Sequence, residues 1–234
     1  MSQVVIATTT MYKGLKDHRA QVALRTIQQA VRHEHKIVVV DNSPPGVKDM
    51  LTGAGAFVFQ DEGNTMGQGR RQAIRLALKV PGLDFVAWIE PEKDTVVQYL
   101  KSMTRHDITV PRRASLSTYP ALQQCAENFG NEAFHIRTKR ALDMWFGPRV
   151  FHRSAAKFFL EYDGKYGDKW DSIFIPVVRA IATGVEVGEE LVDFTYSAEQ
   201  LAAETGSFEM VQKRLEQLNN LIPAIDQECA TLGI

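Results

Sequence analysis

Two glutamates one residue apart, Glu90 and Glu92, follow the apolar run Phe85-Val86-Ala87-Trp88-Ile89. Carboxylates spaced this way beyond a buried strand can share a hard divalent cation, magnesium or manganese, which would neutralise a diphosphate leaving group. Pro91 between them restricts their relative direction, so a single carboxylate, or Asp94, is an alternative ligand, and a solvated acidic turn is the plain structural one. Asp41 ends a second apolar run, Ile37-Val38-Val39-Val40. A carboxylate there can accept hydrogen bonds from a base N–H or from ribose hydroxyls, and it suits an Asx turn or a helix cap equally well.

Gly67-Gln68-Gly69-Arg70-Arg71 can bring backbone N–H groups and basic side chains to a phosphate at a helix start, or can be a helix start with solvated arginines. It has neither the lysine of a Walker loop nor the GxGxxG spacing. Arg112 and Arg113 would suit a carboxylate or phosphate as a fork, or be surface arginines after a strand. Trp170 and Asp171 pair an aromatic ring that could stack on a sugar with a carboxylate able to accept a hydroxyl hydrogen bond; the alternative is a helix cap beside a packed tryptophan. His33, His35, His106, His135 and His152 show no zinc spacing.

The elements that must position these residues alternate between β-rich apolar runs and helical periodicity over the first hundred residues, the pattern of parallel strands joined by crossover helices. Strands are predicted at residues 4–7, 37–40, 57–59 and 85–89, with a helix carrying Leu24, Ile27 and Val31 and another carrying Ala73, Leu76, Ala77 and Val80. Residues 41–46 read as a turn. The strand ends deliver polar loops to one edge, where ligands bind in such sheets. The second half is less regular. It predicts a strand at 108–110, a loop through Arg112 and Arg113, a helix near 122–129, a strand or loop near 150–151, and a helix over 154–162. A glycine-bearing loop at 164–167 then precedes a helix opened at Trp170-Asp171 and kinked or started by Pro176. Residues 185–196 read as extended, and a last helix has Phe208, Val211, Leu215 and Leu218 on one stripe.

A chain of 234 residues with 44% hydrophobic and 24% charged residues is expected to form a single domain, residues 1–234. Residues 1–115 would be the nucleotide-sugar-binding half, and 116–234 the acceptor-side half with the C-terminal helix. The net charge of −1 argues against a nucleic-acid partner. Cys125 and Cys229 form neither a disulfide framework nor a zinc spacing. No apolar run approaches the ~20 residues that span a bilayer, and the N-terminus lacks the pattern of a secretory signal, so a cytoplasmic protein is expected.

In their order, these features resemble the GT-A glycosyltransferases, especially family 2 enzymes and mannosylglycerate synthases. The resemblance rests on residues 4–10, 38–44, 67–73, 89–92, 111–115 and 170–171, and is thinner between 115 and 164. It implies an α/β fold with a Rossmann-like, mostly parallel central sheet flanked by helices and an acceptor-side C-terminal elaboration. It assigns Thr8, Thr9 and Asp41 to the nucleoside, and Gln68, Gly69 and Arg70 to the donor sugar and diphosphate. Glu90 and Glu92 stand where the family has its Asp-any-Asp metal motif. Arg112 and Arg113 would approach an acidic acceptor, with Asp171 beside donor and acceptor as a base in an inverting reaction and Trp170 against the sugar. The sequence departs from the pattern where the synthases have a third metal ligand, a histidine; here stand Asp193, Tyr196 and Glu199, and metal dependence is left open.

The function expected from residues and resemblance together is transfer of a hexose from a nucleoside diphosphate sugar to a hydroxyl acceptor, which would be small and acidic or phosphorylated. A sugar nucleotidyltransferase is the alternative enzyme, although residues 8–14 lack the glycine-rich, arginine-containing loop usual there. The altered carboxylates and missing histidine favour a third reading, a non-catalytic sugar-nucleotide-binding protein.

Overall fold

The computed structural model describes residues 2–196 and 198–234, without the side chains of Glu199 and Ala203. Seven strands form one sheet: β1 (Val4–Thr10), β2 (Lys36–Asp41), β3 (Phe57–Gln60), β4 (Phe85–Trp88), β5 (Ile108–Arg113), β6 (Arg149–His152) and β7 (Val187–Val192). Their spatial order is β3-β2-β1-β4-β6-β5-β7. β1 pairs in parallel with β2 and β4, β2 with β3, and β5 with β7; β6 alone runs antiparallel, to both β4 and β5.

Alternation along the strands sorts the core into two layers. Val5, Ala7, Val38, Val40, Val86 and Trp88 pack on one face, beneath α3 (Met66–Ala77), α5 (Ala156–Leu160), α6 (Asp171–Ala182) and α8 (Phe208–Leu232). Val4, Ile6, Ile37, Val39, Phe85 and Ala87 pack on the other, beneath α1 (His18–Arg32), α2 (Pro45–Gly53) and a 3-10 helix over Asp94–Tyr99. Burial on both faces is why these strands read as continuous apolar runs. Among the described residues, α4 (Ala121–Thr138), α7 (Ala198–Glu204) and a 3-10 turn over Met144–Phe146 are the remaining helical elements.

The helices begin where short polar side chains can cap them. Asp17 accepts from Arg19 N, Thr65 from Gln68 N, and Ser207 from Met210 N. Several expectations are corrected. Pro45 starts a helix where only a turn was read. The loop expected through Arg112 and Arg113 is β5 itself. The helix expected near 122–129 runs to Thr138, the one expected over 154–162 shrinks to Ala156–Leu160, and α6 continues through Pro176. Two apolar stripes were misplaced: Val31, Phe208 and Leu215 are exposed, while α1 buries Ala20, Ala23 and Ala30 and α8 buries Leu221, Ala224 and Ile225.

Candidate active site

Because β1 to β5 and β7 run in one direction, their carboxyl ends share an edge with the amino end of β6. Residues 11–12, 42–43, 61–64, 90–93, 114–115 and 193–196 leave the sheet there, as does Gly147. That edge is where open α/β sheets bind ligands.

At the β1–β2 end, Thr8 Oγ1 donates to the Ile89 carbonyl at 2.8 Å. Asp41, 2% exposed, receives Thr10 Oγ1 at 2.6 Å, Ser43 Oγ at 2.6 Å and Ser43 N at 3.1 Å, all on Oδ1. Ser43 Oγ in turn accepts from Tyr12 N at 2.9 Å. The Asx-turn reading of Asp41 therefore holds, and its carboxylate shapes the loop that follows β2. Thr9 projects from the opposite face of β1 and makes no side-chain hydrogen bond among the described residues.

The glycine-bearing start of α3 is closed from within. Gly67 N donates to the Asp168 carbonyl at 2.8 Å, Gln68 N to Thr65 Oγ1 at 3.2 Å, and Gly69 N to the Thr65 carbonyl at 3.2 Å. The Gln68 and Gly69 amides expected to cradle a phosphate are thus already bonded within the chain. A side chain at position 67 would put its Cβ 1.9 Å from the Asp168 carboxylate, so glycine is needed for that approach. Arg70 turns inward: it stacks 5.3 Å over the Trp88 ring and donates to the Lys169 carbonyl at 2.6 Å and to Ser172 Oγ at 2.8 Å. Burial lowers its pKa to about 10, against the opposing pull of Glu90, Asp171 and Asp168. Arg71 binds Asp168 through two bonds, of 2.6 and 2.9 Å.

Asp171 is equally enclosed at 3% exposure. It accepts from Asp168 N at 3.1 Å, from Lys169 N at 2.6 Å and from the Tyr162 hydroxyl. Every oxygen of Asp171, the residue expected as a base, is bound by a donor of its own loop. Trp170 is half-buried and packs against the core on the α6 face, with the Lys169 ammonium 5.7 Å from its ring.

The acidic pair separates. The Lys93 amide donates to the Glu90 carbonyl at 3.0 Å, closing a turn with Pro91 in the position its fixed φ favours. Thr26 Oγ1 pins that turn by donating to the Pro91 carbonyl at 2.5 Å. Glu92 faces α1, taking Arg19 at 2.8 Å and the Tyr12 hydroxyl at 3.1 Å. Burial and the Glu92 charge push the Tyr12 pKa up. Glu90 instead lies over Gly147, whose added Cβ would stand 2.1 Å from a carboxylate oxygen and whose φ is +94°. Glu90 Oε2 is buried without a hydrogen-bond partner, in the field of two buried guanidiniums, Arg70 and Arg149. Burial lowers Arg149 too, to about 10. One carboxylate neutralised by arginine and one facing two arginines do not fit a divalent cation shared by Glu90 and Glu92 in this arrangement. No group of three or more acidic, histidine or cysteine side chains among the described residues could hold a metal. At the place of the third ligand Asp193 is exposed and Tyr196 is buried, and the Glu199 side chain lies outside the described residues.

Arg113 is enclosed as well. It reaches Asp143 at 2.6 and 2.7 Å and Glu127 at 2.5 Å, and stacks on Tyr119 and Phe146, so it has no free fork. Its bonds and charge hold Asp143 below the ordinary carboxylate range despite burial, which alone would raise it. Arg112 is exposed, with Glu189 at 3.7 Å.

A group the sequence reading missed stands at the same edge. The Lys93 ammonium lies 4.6 Å from the ring centre of Phe194, 5.1 Å from Tyr196, 5.4 Å from Phe146 and 5.9 Å from Tyr119. Phe194 and Tyr196, two apart just beyond β7, were the available signal; their convergence on Lys93 is tertiary.

No model of a known protein family matches the sequence, and no curated protein does. Solved structures do match. Mannosyl-3-phosphoglycerate synthase from Rubrobacter xylanophilus aligns at 14% identity and a TM-score of 0.52, over 94% of this chain and 76% of that one. A mycobacterial protein aligns at 11% identity and a TM-score of 0.58, over 86% and 70%. S. aureus TarS, residues 1–349, aligns at 14% identity and a TM-score of 0.52, over 99% and 71%. At these identities the likeness speaks for the fold, and with the sheet order above it establishes that the chain has the GT-A fold.

Proposed function

We propose that the protein transfers a hexose from a nucleoside diphosphate sugar to a hydroxyl acceptor that is small and acidic or phosphorylated. The carrying observation is the convergence of the β1, β2, β4, β5 and β7 exits on one edge of a GT-A sheet. The match to a mannosyl-3-phosphoglycerate synthase over 94% of the chain supports the donor class. In this reading the nucleoside lies against the carboxyl ends of β1 and β2, at Thr8, Thr9 and Asp41. Arg70, locked between Trp88 and the loop before α6, keeps that wall of the crevice positive through its charge rather than by direct contact. Arg112 is the exposed cation on the β5 side, available to an acidic acceptor.

Catalysis then rests on holding donor and acceptor in register and on fixed charge facing the departing diphosphate. No helix among the described residues is long and apolar enough to cross a membrane. A soak of crystals with UDP-, GDP- and ADP-sugars tests the placement. Density for the nucleoside between the β1 and β2 exits supports the reading, and a nucleotide elsewhere refutes it.

A further inference from the structure

The Lys93 side chain is held in a manner that calls for an anion. The residue is 9% exposed, and its ammonium has four aromatic rings about it. No carboxylate pairs with it and no oxygen accepts from it among the described residues. The two acids adjacent in sequence are already bound, Glu92 to Arg19 and Tyr12 and Asp94 to Arg25. Ring faces attract a cation, but they give its three N–H donors nothing to bind. A largely desolvated cation lacking a counter-ion is costly to maintain, and that cost is relieved when an anion binds.

The position fits the need. Lys93 ends the turn that begins at Glu90, at the β4 exit, and the rings come from the segments around the β5, β6 and β7 ends. Here the acidic pair does not fit a shared metal ion, and the amides at the α3 start are already bonded. Among the buried cations of the described residues Lys93 is the one without a partner of its own, whereas Arg70, Arg71, Arg113 and Arg149 all have one.

We infer that the Lys93 ammonium binds the diphosphate of the donor and takes the part a divalent cation would otherwise play, an inference that rests on the function proposed above. The aromatic walls fix the ammonium and leave its donors unpaired, so an entering diphosphate supplies the acceptor they lack. No bond is made or broken at Lys93; it stabilises charge on the departing oxygen.

The test is calorimetric titration of the full chain in EDTA with UDP, GDP, inorganic diphosphate, uridine and guanosine, for wild type, Lys93→Arg and Lys93→Met. Lys93→Met should weaken the preferred nucleoside diphosphate and inorganic diphosphate by about tenfold or more, the worth of a charge-assisted hydrogen bond, with little change for the nucleoside. Lys93→Arg should retain most of the affinity. Independently of any variant, saturating diphosphate should protect Lys93 of the wild type from reductive methylation, read by mass spectrometry. Unchanged diphosphate binding by Lys93→Met, no protection, or binding that requires added magnesium or manganese overturns the inference while leaving the proposed function standing. Lys93-dependent binding of inorganic diphosphate without any nucleotide binding removes the proposed function and keeps the anion site. A wild type that binds none of the ligands removes both.

Discussion

Arg71 grips Asp168 through two bonds of 2.6 and 2.9 Å, joining the first turn of α3 to the loop before α6. Both side chains are 10% exposed, so breaking the pair leaves a charge without compensation. Arg71→Ala should cost about 3–5 kcal/mol in urea unfolding. Arg71→Ala and Asp168→Ala together should cost far less than the sum of the two. Additive losses would show that the pair is not coupled.

The same pair predicts a pH dependence. Burial would raise the Asp168 pKa, but the bonds from Arg71 and Thr65 and the charges of Arg71 and Arg70 bring it below its ordinary value. A depressed folded-state pKa contributes stability that is present above the unfolded value of about 3.9 and is lost as pH falls through the folded value. Asp143 acts in the same direction. Unfolding free energy should therefore decline as pH drops below about 4, and Asp168→Asn should flatten that decline. An unchanged slope in the variant would contradict the assignment.

Asp171 is expected to affect stability rather than chemistry. Asp171→Asn places an amide NH₂ among donors from Asp168, Lys169 and Tyr162, at a cost of about 1–3 kcal/mol. Turnover per folded molecule should change little. A fully stable but inactive variant would restore Asp171 as a base.

Neighbouring arginines should behave differently. Arg113→Ala strips two buried carboxylates of their partner and should destabilise by about 3–5 kcal/mol. Arg112→Ala should stay within about 0.5 kcal/mol of wild type, while raising the acceptor KM. Equal thermal melts for the two variants would refute this contrast.

Gly147→Ala confronts the Glu90 carboxylate at 2.1 Å and a φ of +94°. Expected are a loss of at least about 1 kcal/mol and a fall in turnover as Glu90 is displaced. A variant with native stability and activity would show that Glu90 has room to move.

Much of the fold was legible because β1, β2 and β4 are buried on both faces and so read as unbroken apolar runs. The helix faces were not, since α1 buries small alanines and leaves Val31 at 51% exposure, so hydrophobicity alone points to the wrong side. In the site, the place of the acidic turn was visible but its direction was not. Arg19 and Tyr12 draw Glu92 one way, and Gly147 lets Glu90 lie the other. Arg70, Arg113 and Asp171 had suitable types and spacing for ligands, yet tertiary partners that no local pattern reveals had already taken them. The Lys93 cage draws on four segments and is visible only once the sheet is assembled.

The most direct test of the central claim is product identity, followed by phosphorus NMR during incubation with nucleoside diphosphate sugars and a panel of carboxylated and phosphorylated hydroxyl acceptors. A parallel incubation contains nucleoside triphosphates with sugar 1-phosphates. The account predicts release of a nucleoside diphosphate from one donor, dependent on acceptor and not on added metal. Release of pyrophosphate in the parallel incubation, or binding of a nucleotide sugar with no turnover for any acceptor, would contradict it.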